Sequence, residues 1–143
     1  MAIANLHETL LTYTLRKNQL QLELTELQSQ KTLATYSQAD IYSLQNSGKA
    51  ELREFYKALY DSDPELQCRY KDYTEIPEFE EEIDKLTAQF QQQLDELTVW
   101  ETAIDAQITT DSAELEEVNA YIESLKSMLS SNIQTDFNYG LNQ

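Results

Sequence analysis

The apolar positions of the C-terminal half fall on one stripe: Phe79, Ile83, Leu86, Phe90, Leu94, Leu97, Trp100, Ile104, Ile108, Leu115, Val118, Ile122, Leu125, Leu129 and Ile133. Successive steps are three or four residues, apart from the interval between Ile108 and Leu115, where Asp111 takes the vacant place. That spacing is one face of a helix, and its mean step of about 3.5 is the coiled-coil value. No Gly or Pro interrupts the run after Pro77, and Gln, Glu, Leu and Ala supply good helix formers. Pro77 suits a first helical turn, and Glu78, Glu80, Glu81, Glu82 and Asp84 crowd the positive end of the helix dipole. The pattern predicts a long second helix over 77–133, of roughly 80 Å at the usual rise. A single-striped rod of that length needs a partner helix. Asp111 with Glu114 resembles a capping box, but the stripe resumes in phase beyond it, so a continuous or merely kinked helix is expected.

The N-terminal arm carries its own stripe: Leu6, Leu10, Tyr13, Leu20, Leu24, Leu27, Ala34 and Ile41, with Lys17, Lys31 and Gln38 in the remaining seam places. Polar seam residues lower stability and fix register. Leu11, Leu15, Leu22 and Leu33 add apolar surface beside the seam, which points to more than one neighbour or to a self-association face. Gly48 punctuates this arm and predicts a break or bend. Lys49 to Tyr60 follows, with Leu52, Phe55, Tyr56, Leu59 and Tyr60 on an apolar side.

Residues 61–76 read as a connector. Asp63-Pro64-Glu65 is an N-cap followed by a proline at the first helical position, predicting a short helix from Pro64 to about Lys71. Arms of nearly equal length, 1–60 and 77–133, flank it. The expected fold is therefore all-α: an elongated antiparallel helical hairpin, or coiled coil, forming a single domain over 1–143, with a frayed tail over 134–143.

Composition narrows the function. Two Gly and two Pro argue against turn-rich β-sandwich and Rossmann folds. The chain carries 26 acids against 10 bases, a net charge of −16. Residues 1–60 are neutral, with six acids and six bases, so residues 61–143 hold the whole excess. A nucleic-acid binder shows the opposite sign, and an anionic membrane repels this surface. No apolar run is long enough to span a bilayer, so no membrane insertion is expected. The N-terminus lacks a cleavable signal pattern. A cytoplasmic location is expected, with export by a route lacking a cleaved signal peptide left open.

Catalytic candidates are sparse. His7 is the sole histidine and has no motif-placed partner; an exposed helix-end residue is the expectation. Cys68 is the sole cysteine, so no internal disulfide forms, and an inert thiol is expected. His7 and Cys68 lie too far apart in sequence for a ligand motif, and the acid run from Glu78 to Asp84 lacks the alternating pattern and glycine of a calcium loop. No catalytic residue, metal ligand, cofactor or small-molecule substrate is expected. Trp100 falls on the stripe and is read as core. The aromatic cluster of Tyr56, Tyr60, Tyr70, Tyr73 and Phe79 lies where the chain reverses and is the candidate partner-binding site, because aromatic side chains anchor interfaces.

Two stretches carry a resemblance. Leu11-Thr12-Tyr13-Thr14-Leu15-Arg16-Lys17-Asn18, followed by Gln19 to Lys31, resembles the opening of a group of small uncharacterised bacterial coiled-coil proteins. Asn132-Ile133-Gln134-Thr135-Asp136-Phe137 resembles their ending. The resemblance implies a bacterial source and a long-helix hairpin, and no activity. In general shape the chain also resembles helical-hairpin components and chaperones of bacterial flagellar and type III export. The expected function is a non-enzymatic coiled-coil interaction or scaffold protein, binding a protein partner or a second copy of itself, with an export-associated chaperone or structural component as its sharper form. The alternative is an oligomeric helical-bundle enzyme or metal-binding protein with carboxylates converging between chains.

Overall fold

A computed structural model describes residues 3–141. Among these residues there is no strand. The chain is an all-α helical hairpin: α1 (Ile3–Ser62), α2 (Pro64–Arg69), a 3-10 turn (Tyr73–Glu75) and α3 (Pro77–Leu141). The chain divides into two compact units, Met1–Lys31 with Ala103–Gln143, and Thr32–Thr102. Each is built from a stretch of α1 packed on a stretch of α3.

In the first unit the two helices run antiparallel. Tyr13 stacks on Tyr121 at 5.2 Å, Arg16 pairs with Glu114 and Lys31 with Asp105, so numbers rise along α1 as they fall along α3. Leu20, Val118 and Ile122 form a buried cluster, with Leu10, Tyr13 and Leu115 packed around it. These are seam positions at heptad spacing, and their burial is what holds two otherwise unstable rods together. Asp111 is buried in the same unit, only 2% exposed. It caps nothing: α3 runs straight through it, because Ile108 and Leu115 on either side keep the stripe in phase. Glu114, the other half of the expected capping box, is drawn instead to Arg16.

In the second unit Ala34 and Leu94 are buried on the facing helices. The expected break at Gly48 does not occur. Gly48 lies inside α1 with an ordinary helical backbone. It is there for close approach rather than for a turn: a Cβ placed on it would stand 3.1 Å from Leu86 Cδ2. Gly48 continues the seam in steps of three and four from Ile41 to Leu52, so it is a socket for a leucine knob.

Three further expectations are revised. Trp100 is exposed, and its neighbour Glu101 is the half-buried residue. Strict heptad spacing from Leu94 and Leu97 reaches 101 and then Ile104, so Trp100 lies one residue off the seam. The tail expected to fray from 134 is helical to Leu141, while Asn142 and Gln143 lie outside the described residues. The short helix ends at Arg69, slightly before the expected Lys71.

Candidate docking surface at the helical turn

The reversal belongs wholly to the Thr32–Thr102 unit, and each step of it is fixed by side chains reaching backbone. Asp63 caps α2 by accepting from the Glu65 amide at 3.0 Å, with Pro64 at the first helical position. The Gln67 side-chain amide donates to the carbonyls of Tyr60 and Asp61 at 3.1 and 3.2 Å, tying α2 to the last carbonyls of α1. The Tyr60 hydroxyl stands 2.9 Å from the carbonyls of both Tyr70 and Lys71, so its one proton ties the far side of the connector to α1. Asp72 accepts from the Tyr73 amide and Glu75 from the Lys71 amide, which set the 3-10 turn before Pro77 opens α3.

The five aromatic residues expected to bind a partner are spent inside this turn. Tyr56 and Phe79 are buried together with Ile76, and Tyr60, Tyr70 and Tyr73 are half-buried against them. Tyr56 and Tyr73 each meet the Phe79 ring edge-on at 5.4 Å, the arrangement that aromatic quadrupoles favour. They form one cluster, as expected, but it is the small core of the turn rather than an open surface.

The exposed apolar surface lies one residue away. Phe55 is 61% exposed and Leu59 stands beside it, also exposed. Their position follows from a change of phase in α1. The seam steps from Gly48 to Leu52 and would reach Phe55 and Leu59 in strict heptads. Tyr56 is buried and Tyr60 half-buried in their place, because the aromatic core of the turn draws the helix round by one residue. Phe55 is left on the outside, its ring edge-on to Tyr56 at 5.2 Å. That phase change is not visible in the spacing of α1, where both series are apolar.

Phe55 stands between two open grooves. One, of about 600 Å³, is lined by Gly48, Leu52, Phe55 and Leu86, with Glu51, Glu82, Lys85 and Gln89 on its rim. The missing side chain at Gly48 helps to open it. The other, of about 320 Å³, is lined by Phe55, Tyr56, Leu59, Leu66 and Ile76, with Asp63 and Glu78 on its rim. The rim is predominantly acidic, and the unit as a whole carries sixteen acids and six bases. The field is felt at Tyr56: burial first, then the charge and hydrogen bond of Glu82 and the charges of Glu78 and Glu81, push its phenol above the usual range.

Elsewhere, Cys68 is exposed on α2. Among the described residues, no three His, Cys, Asp or Glu side chains are grouped to hold a metal ion, and no helix is long and apolar enough to cross a membrane. Neither a protein family, nor a curated protein, nor a solved structure matches this chain.

Proposed function

We propose that this chain is a non-enzymatic protein-interaction component, a helical hairpin whose turn receives a basic, apolar segment of a protein partner. The observation that carries this reading is the exposed Phe55 ring standing between two apolar grooves with a carboxylate rim. Burying a side chain of that size contributes about 1.5–3 kcal/mol, and aromatic anchors in pockets dominate interface energies. The rim acids steer a cationic segment and disfavour an acidic one. An export-associated chaperone or structural component is the sharper form, in which the bound segment belongs to a secreted protein.

The test uses a fluorescent amphipathic peptide of Leu and Lys, with a Ser and Lys peptide of equal charge as control. The Leu and Lys peptide is expected to bind at least about tenfold more tightly than the control. Phe55→Ser with Leu59→Ser is expected to remove that difference, and rising salt to weaken binding. Equal binding of the two peptides, or binding untouched by the paired substitution, would refute the reading.

A further inference from the structure

We propose that a second copy of this chain packs against the outward face of α1 in the unit formed by Met1–Lys31 with Ala103–Gln143. The observation is independent of the turn. Leu11, Leu15 and Leu22 are 54%, 55% and 65% exposed. Their separations of four and seven residues place them on one side of α1. That side is turned away from α3, since the seam residues Leu6, Leu10, Tyr13 and Leu20 occupy the other. The helix is thus apolar on two faces, and α3 covers one of them.

Charge selects the occupant. Between Thr9 and Thr25 the charged residues are Arg16, Lys17 and Glu23. Arg16 is engaged by Glu114 across the seam, and Lys17 and Glu23 are half-buried on the seam side. Between its ends the outward face is left without charge: the three leucines are interleaved with Thr12, Asn18 and Gln19, and the exposed acids Glu8 and Glu26 bound the strip on either side. Along the strip itself neither a basic nor an acidic partner gains an ion pair, and only Glu8 and Glu26 at its ends face a basic one. For two chains that each carry −16, an uncharged strip is where they meet with least repulsion. The opposing stretch in this unit, 103–143, carries seven acids and one base and repels a second copy, whereas residues 1–31 carry three of each. The spacing Leu11, Leu15, Asn18, Leu22, Thr25 is itself a heptad seam with steps of four and three, the pattern by which a helix pairs with its like. The strip is short, which puts the interface near the low end of specific ones, about 1,200 Å² in total, and makes assembly concentration-dependent.

Sedimentation equilibrium of the full chain, over a wide concentration range at low and high salt, tests this. The expected result is a monomer–dimer equilibrium that tightens as salt rises, because screening removes the repulsion between like-charged copies. Leu15→Ser with Leu22→Ser is expected to raise the dissociation constant about tenfold or more, with unchanged far-ultraviolet circular dichroism, because both side chains are exposed. Asn18→Asp is expected to weaken the dimer at low salt and to recover at high salt. Phe55→Ser with Leu59→Ser is expected to leave the dimer unmoved, so failure here and failure of the turn as a docking surface are separate results. A chain monomeric under all conditions, or a dimer indifferent to the leucine and Asn18 substitutions, would overturn the proposal. Monomeric protein that floats with zwitterionic vesicles through these leucines would overturn it too.

Discussion

Arg16 on α1 and Glu114 on α3 meet as a fork on a fork: Nε donates to Oε1 at 2.7 Å and a terminal nitrogen to Oε2 at 2.8 Å. The pairing holds the Glu114 carboxyl below its usual range, the Arg16 hydrogen bond being the largest cause and partial burial opposing it. A carboxylate so shifted adds stability above the ordinary carboxylate range and loses it as pH falls through the lowered value. Glu114→Gln is therefore expected to lower the melting temperature at neutral pH, and the deficit to vanish in acid. Both side chains remain substantially exposed, so the effect is small and shrinks with salt. Arg16→Lys keeps the charge but not the fork, and is expected to behave more like the loss of the pair than like the parent. Thermal unfolding across a pH series checks all three.

Asp111 occupies a seam place between Ile108 and Leu115. Its Oδ1 accepts from the Gln107 side chain at 2.8 Å, while its Oδ2 is buried with no hydrogen-bond partner among the described residues. An unsatisfied buried oxygen costs stability, and an apolar residue at that position costs none of it. Asp111→Leu is expected to stabilise the hairpin by about 1–3 kcal/mol. Chemical denaturation with an unchanged slope would verify it, and a lower midpoint would contradict it.

The two helices and the polar place at Asp111 were legible because a heptad period is a geometric statement that needs no tertiary information, and their antiparallel pairing because arms of nearly equal length flank a short connector. The Asp63 cap was legible for the same reason: its chemistry is local. Gly48 was not. A glycine between helical stretches reads as a stop, and only the opposing Leu86 shows that it is a socket. The phase of α1 at the turn was not legible either. Phe55 and Tyr56 are adjacent and both apolar, and which of them turns inward is decided by Ile76 and Phe79, which are distant along the chain.

Gly48→Ala gains helix propensity worth about 1 kcal/mol and crowds only the tip of Leu86, a side chain beside an open groove with room to turn. The expected outcome is a modest rise in melting temperature. Gly48→Leu leaves no room for Leu86 and is expected to destabilise by about 1–3 kcal/mol. It is also expected to block the larger groove, so peptide binding at the turn should fall with it.

Tyr60→Phe deletes the hydroxyl that ties Tyr70 and Lys71 to α1 and leaves the half-buried ring in place. The expected loss is about 0.5–1.5 kcal/mol. Amide hydrogen exchange should localise it, with faster exchange at residues 70–76 and no change near Leu20.

The contact of Gly48 with Leu86 also bears on how the chain avoids misalignment. Repeats of seven are interchangeable to a first approximation, so two rods built from them can slide by one period and still bury leucines. Here such a slip in the Thr32–Thr102 unit would bring Leu86 opposite Ile41 or, beyond the change of phase, Tyr56, where a bulky side chain replaces the hollow. The absent side chain works as a keyway: it admits its bolt at one offset and jams at the neighbouring ones.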